Sequence, residues 1–136
     1  MRKYYMNESN DYHLWIEFAK NDLLVAKELD IEKHFVHRAV LVHSQQGIEK
    51  YLKAFLLFKH EIIIRTHDLL ILNKKCEKYD QAFLQFELDL AWISVHYLQS
   101  RYPDNLEDIS LDEAQKALQI AIKFEKFVLP KFGLKK

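Results

Sequence analysis

Arg38 and His43, five positions apart, are of residue types that could support chemistry together. Such a pair suits metal-independent cleavage of RNA. Histidine would be the general base for a ribose 2′-hydroxyl, and arginine would stabilise the charge of the phosphorane. On a helix, five residues turn the chain by about 500°, so the two side chains point about 140° apart. Their convergence requires a bend or a second subunit, and a chance match among seven histidines is the competing interpretation.

A polar band follows in the same stretch and consists of Gln45, Gln46, Glu49, Lys50 and Lys53. The two glutamines lie among apolar residues, where their amides could bind the edge of a base or a neighbouring backbone group. Glu49 and Lys53 have the i,i+4 spacing of an exposed ion pair worth about 0.2–0.5 kcal/mol. The band is therefore either a structural network between helices or a face that binds a ligand.

The segment Thr66-His67-Asp68 has the composition of a helix start. We expect Thr66 to be the N-cap and Asp68 to lie in the first turn, where the helix dipole favours a carboxylate. Backbone N–H groups point outward at such an end and favour an anion. His67 is therefore a candidate for contact with a phosphate.

The segment SRYPDN ends another predicted helix. Pro103 disfavours helical geometry at Tyr102 and prevents continuation of the helix, and Asp104 is a good turn residue. Taken alone, the segment is therefore a stop signal for the helix.

The spacing of apolar residues predicts five helices that position these groups, at roughly 11–30, 35–59, 67–79, 81–99 and 110–129. Asp11 is the expected N-cap of the first helix, and Ser110 with Glu113 forms the capping box of the fifth. Only two glycines and two prolines occur in 136 residues, which disfavours sheets and their hairpins. The expected fold is all-α, an antiparallel bundle of about five helices.

Three features of these helices predict how they pack. Gly47 lies inside the second helix at a cost of about 1 kcal/mol relative to alanine, so we expect another helix to approach it closely. Asp22 interrupts the apolar face of the first helix and could reach the polar band. The fourth helix has a second apolar stripe, which part of a partner subunit could cover. That stripe consists of Leu84, Leu88, Trp92 and Val95.

Composition limits the class of protein. Lys plus Arg and Asp plus Glu each number 20, so bulk charge gives no reason to expect a general nucleic-acid or membrane binder. The single cysteine, Cys76, excludes a disulfide within the chain and is expected to be a small buried apolar residue. The histidines His34, His37 and His43 lack a completing ligand at a familiar spacing, so no metal or cofactor is expected.

The apolar runs are too short to cross a bilayer and the first residues do not form a signal peptide. These features favour a cytoplasmic protein without a membrane segment. We expect a flexible N-terminal arm at 1–10, a single helical domain at 11–130 and a C-terminal tail at 131–136.

Four segments in this order resemble the HEPN domain family, whose name stands for higher eukaryotes and prokaryotes nucleotide-binding. They are Trp15-x3-Ala19-x2-Asp22-Leu23, Gln45-Gln46-x2-Glu49-Lys50-x2-Lys53-Ala54, Thr66-His67-Asp68-Leu69 and Ser100-Arg101-Tyr102-Pro103-Asp104. The resemblance extends over roughly 12–127 and implies a compact bundle that forms homodimers. It also implies a minimal nucleotidyltransferase as a frequent partner, often in a toxin–antitoxin pair.

The resemblance leaves the activity open. Many HEPN proteins are metal-independent ribonucleases with an Arg-x4–6-His motif paired across the dimer, and others bind nucleotides or RNA without cutting. Our leading hypothesis is a nucleotide- or RNA-binding homodimer; the alternatives are a toxin ribonuclease that uses Arg38 and His43, and a non-catalytic protein-interaction module.

The resemblance implies that Arg101 and Tyr102 are groove residues held in place by the helix stop, where Tyr97 or Tyr102 could stack on a base. Because no histidine follows Arg101 at a distance of four to six residues, it implies a binding edge at this corner rather than half of a ribonuclease site. The candidate binding residues are Gln46, Lys50, Lys53, His67, Tyr97, Arg101, Tyr102 and Asp104.

Overall fold

The structure, a computed structural model, describes residues 9–62, 65–100 and 109–133. In these ranges the chain forms α-helices and short 3-10 helices and no strand, which confirms the prediction of an all-α bundle. The α-helices are α1 (Tyr12–Glu28), α2 (His37–Phe58), α3 (Leu69–Glu77), α4 (Glu87–Ser100) and α5 (Leu111–Val128). The 3-10 helices are His34–Val36, Gln81–Phe86 and Leu129–Phe132.

The central element is α2, which packs against all four other α-helices. Its second half is buried on nearly every side, and Tyr51, Leu52 and Ala54 have no exposed surface. Phe55 continues this core into an aromatic cluster, with its ring centroid 4.7 Å from that of Phe83. Because this part of α2 is enclosed, the polar side chains that α2 partly exposes lie before it; they are Arg38, His43, Gln46 and Lys50.

Gly47 lies where α2 packs closely against α1. A Cβ atom at this position would be 2.2 Å from Cδ1 of Leu23 and 3.5 Å from the carbonyl oxygen of Ala19. Leu23 is only 1% exposed and fills the space that the missing side chain leaves. The expectation that Gly47 permits the close approach of another helix is therefore confirmed.

The helix ends follow the predicted capping chemistry with one exception. Asp11 accepts from the backbone N–H of His13, and Ser110 forms the predicted capping box. The prediction that Thr66 is the N-cap of the third helix is wrong. Asp68 is the cap, because its carboxylate accepts from the backbone N–H groups of Leu70 and Ile71 at 2.9 and 3.3 Å. The α-helix accordingly begins two residues later than predicted.

The fourth predicted helix begins as the 3-10 helix Gln81–Phe86 and becomes α-helical only at Glu87. Phe83 and Phe86 are three residues apart, so one face of a three-residue turn places both rings in the core. Of the second apolar stripe, Leu84, Leu88 and Val95 are 53%, 84% and 52% exposed. No helix in the described part of the chain is long and apolar enough to cross a membrane.

Candidate functional site

A cleft of about 310 Å³ opens beside the middle of α2 and is lined by Gln46, Glu49, Lys50, His67 and Tyr97. The first three residues are three and four positions apart, so they share one face of α2. His67 lies just before the start of α3, and Tyr97 lies in the last turn of α4. The structure thus brings four sequence-predicted residues from three parts of the chain into one cleft.

Glu49 is the residue that organises this cleft. Its carboxylate Oε2 lies 2.8 Å from Nδ1 of His67 and 3.2 Å from Nζ of Lys53. A carboxylate accepts hydrogen bonds, so Nδ1 of His67 donates and Nε2 is left for contacts outside the pair. The imidazole is largely exposed, whereas Glu49 is buried. Glu49 therefore fixes the orientation of a ring whose other edge faces solvent.

Asp22 supports the cleft from α1, as the sequence predicted. Its buried carboxylate contacts Nδ1 of His43 at 2.9 Å through Oδ1 and Nζ of Lys50 through Oδ2. His43 and Lys50 are seven residues apart, so they point to nearly the same side of α2. The cleft is therefore built on two carboxylates, Asp22 and Glu49, that each bind one histidine and one lysine.

Lys53 does not line the cleft. Its side chain is 3% exposed, its ammonium group pairs with Glu49, and its Nζ lies 5.5 Å from the ring centroid of Trp15. We expected Lys53 to contact a phosphate directly. Its burial between Trp15 and Glu49 instead places it behind the cleft, where it compensates the charge of Glu49.

Arg38 and His43 do not converge within the chain. The guanidinium Nη1 of Arg38 donates to the backbone carbonyl of Ser100 at the end of α4, whereas His43 binds Asp22 on α1. This separation follows from the angular offset of the two positions on α2. A catalytic pair of these residues within one subunit is therefore not formed in this structure.

The predicted binding residues Arg101, Tyr102 and Asp104 lie outside the described residues. Ser100, the residue before them, ends α4. Their assignment to a phosphate- or base-binding edge stays a prediction.

A second pocket of about 370 Å³ adjoins the cleft, because His67 and Tyr97 line both. We call it the side pocket. Its lining residues are Gln45, His67, Asp68, Leu70, Ala91, Ser94, Val95, Tyr97 and Leu98. Sequence reasoning noted Gln45 without assigning it to a site and missed Ser94. The one signal for Ser94 is its spacing, three residues before Tyr97 on the same helix face.

Cys76 lies in the core, away from solvent. Cys76 is fully buried, its Sγ lies 3.7 Å from the backbone oxygen of Leu52, and burial raises the pKa of its thiol. This placement confirms the interpretation of Cys76 as a buried apolar residue. Among the described residues, no group of three His, Cys, Asp or Glu side chains is placed to hold a metal ion.

These observations define a small all-α domain in which one enclosed helix presents a polar cleft. The HEPN domain family model matches residues 12–131 of the 136-residue chain, so the protein belongs to the HEPN domain family. No curated protein and no solved structure gives a match.

Proposed function

We propose that the protein binds a nucleotide or RNA in the cleft, as a homodimer that acts with a minimal nucleotidyltransferase partner. One observation carries the proposal: four candidate residues line the same cleft. Gln46 and Lys50 come from α2, Tyr97 comes from α4, and His67 comes from the segment before α3. Lys50 supplies hydrogen-bond donors for a phosphate, Gln46 supplies an amide, and Tyr97 supplies a ring for stacking. Because Nδ1 of His67 donates to Glu49, its Nε2 is an acceptor for a hydroxyl group of the ligand.

The charge balance of the cleft supports an anionic ligand. Asp22 and Glu49 would repel a phosphate if they were unpaired, but each is buried and bound by a lysine and a histidine. Lys50 remains 28% exposed and is the lysine that lines the cleft. Lys50 can therefore contact a phosphate, while the carboxylate that pairs with it, Asp22, is buried.

The exposed apolar stripe of α4 and the 3-10 helix before it supports the homodimer part of the proposal. Leu88 is 84% exposed, and Leu84 and Val95 are more than half exposed. Burial of such residues against a second copy removes apolar surface from water at about 25 cal/mol per Å². The nucleotidyltransferase partner is supported by membership of the HEPN family, within which such partners are frequent.

A toxin ribonuclease is the second candidate, and one contact favours it. Asp22 holds Nδ1 of His43, which leaves Nε2 as the ring nitrogen that could accept a proton from a ribose 2′-hydroxyl. Arg38 would have to come from the second subunit, because within one chain it binds the end of α4. A non-catalytic interaction module is the third candidate, which co-purification with a nucleotidyltransferase but no ligand binding would favour.

The experiment compares binding of ATP and a short single-stranded RNA to the wild type and to Lys50→Gln, with Lys20→Gln on the exposed face of α1 as a matched control. Loss of one charged hydrogen bond should weaken binding about tenfold in Lys50→Gln and leave Lys20→Gln unchanged. Equal affinity of the wild type and Lys50→Gln, or no binding by the wild type, would contradict the proposal.

RNA integrity in the same samples separates the two leading candidates. RNA that stays intact with bound protein supports binding without cleavage. Cleavage that Lys20→Gln retains and His43→Ala abolishes would replace the proposal with the ribonuclease.

A further inference from the structure

The side pocket differs in chemistry from the cleft that it adjoins. Its wall is formed largely by Leu70, Ala91, Val95 and Leu98, with Tyr97 at the boundary to the cleft. The cleft wall, by contrast, carries Gln46, Glu49 and Lys50. A ligand that occupies both therefore has one charged part and one mostly apolar part.

A polar edge on the apolar part of the ligand is indicated by two oxygen atoms without partners. Oε1 of Gln45 and Oγ of Ser94 are buried and make no hydrogen bond within the described part of the chain. Gln45 is 1% exposed, and its Nε2 donates to the backbone oxygen of His67 at 3.3 Å, which leaves Oε1 as an acceptor. An unpaired buried polar group costs about 1–3 kcal/mol, so a ligand that pairs with these atoms recovers free energy.

These atoms define what the ligand edge must present. Oε1 of Gln45 requires a donor, and the hydroxyl of Ser94 supplies a donor for a neighbouring acceptor. Adenine has this pair in its N6 amino group and an adjacent ring nitrogen. The pocket volume of about 370 Å³ is in the usual range for a site that encloses a small molecule.

We propose that the side pocket is the nucleobase subsite of the cleft and that Gln45 and Ser94 recognise the amino edge of adenine. This inference rests on the proposed function, because the base is carried by the nucleotide whose phosphate binds in the cleft. Both oxygens are covered by the pocket wall, so the base reaches them after a small shift of the side chains there. Tyr97, which lines both spaces, then lies beside the nucleoside.

Three ligands test the subsite: adenosine 5′-monophosphate, purine riboside 5′-monophosphate, which lacks only the amino group, and ribose 5-phosphate, which lacks the base. The wild type should bind them in this order, with about fivefold between the first two for one hydrogen bond. In Gln45→Met, which keeps the side-chain length without an acceptor, the preference for the amino group should disappear. Ser94→Ala should weaken binding of both purine nucleotides and leave ribose 5-phosphate unchanged.

The ligand comparison separates a structural effect from recognition. If Gln45→Met acts only by losing the contact with the His67 backbone, it should weaken the binding of all three ligands alike. If Gln45 recognises the amino group, the substitution should weaken only the binding of adenosine 5′-monophosphate. Equal binding of the three ligands by the wild type overturns the subsite and leaves phosphate binding in the cleft intact. Absence of binding by all three overturns the proposed function together with the subsite. If Ser94→Ala changes the oligomeric state but none of the three affinities, the pocket is part of an interface with a second copy of the chain and the subsite is overturned.

Discussion

At the scale of single residues, the close packing of Leu23 on Gly47 predicts how an alanine at position 47 changes the stability of the chain. Alanine at position 47 gains about 1 kcal/mol of helix propensity. Its Cβ atom would also lie 2.2 Å from Cδ1 of the buried Leu23, and overpacking of a core costs about 1–3 kcal/mol. We expect Gly47→Ala to lower the free energy of unfolding by about 1 kcal/mol, measured by urea denaturation.

The matched background for this prediction is Leu23→Ala, which removes the atom that meets the new Cβ. Leu23→Ala alone should cost about 2–5 kcal/mol, as for other buried leucines. In that background Gly47→Ala should become stabilising, because propensity is gained without overpacking. A destabilising effect of similar size in both backgrounds would show that the close approach of α1 is not the reason for the glycine.

The cleft shows which residue-level features a sequence can predict. Gln46, Glu49 and Lys50 are close in the chain, and helical spacing alone places them on one face. His67 and Tyr97 join them only through tertiary packing, so their proximity needed the structure. The charge of Lys53 suggested an exposed phosphate ligand, because its pairing with Glu49 against Trp15 depends on how α1 packs on α2.

At the scale of secondary-structure elements, Asp80 fixes the start of the 3-10 helix Gln81–Phe86. Its carboxylate accepts from the backbone N–H of Ala82 at 2.9 Å and pairs with Lys131, which follows α5. The hydrogen bonds from Lys131 and Ala82 lower the pKa of Asp80. Asp80→Ala should therefore lower the free energy of unfolding by about 1 kcal/mol at neutral pH, as expected for a lost N-cap.

The pH dependence of this effect has a defined sign. A carboxyl group whose pKa is lower in the folded chain stabilises it above the unfolded pKa, and that contribution is lost as the pH falls through the folded pKa. The difference between wild type and Asp80→Ala should therefore shrink between neutral pH and about pH 2.5 in urea denaturation. Asp80→Asn, which keeps a capping oxygen without charge, should show a smaller loss at neutral pH. A loss of equal size at both pH values would contradict the role of the charge.

Element positions were more predictable than element boundaries. Apolar periodicity predicted each of the five α-helices, since each buries one face or more against α2 or its neighbours. The change from 3-10 to α geometry at Glu87 was not predicted, because Phe83 and Phe86 fit either helix by spacing. Thr66 and Asp68 are both good N-caps by residue type, and only the backbone course decides that Asp68 is the one used.

At the scale of the whole molecule, Ala91 and Leu98 extend the exposed apolar stripe of Leu88 and Val95 along α4. Leu88, Ala91, Val95 and Leu98 follow one another at intervals of three, four and three residues, the spacing of a seam between two helices. Ala91, Val95 and Leu98 also line the side pocket, so a second copy seated on this stripe would border that pocket. The net charge of zero places no bulk repulsion between copies.

The homodimer part of the proposal makes a prediction for the intact protein. Light scattering should give twice the chain mass of 16.4 kDa for the wild type. Leu88→Glu should give the mass of one chain, because a carboxylate placed in an apolar interface loses its hydration. Leu24→Glu is the matched control, since Leu24 is 55% exposed on α1, away from the stripe, and this variant should remain dimeric. A monomeric wild type would contradict the homodimer part of the proposal. A dimer that survives Leu88→Glu would place the interface on another surface of the chain.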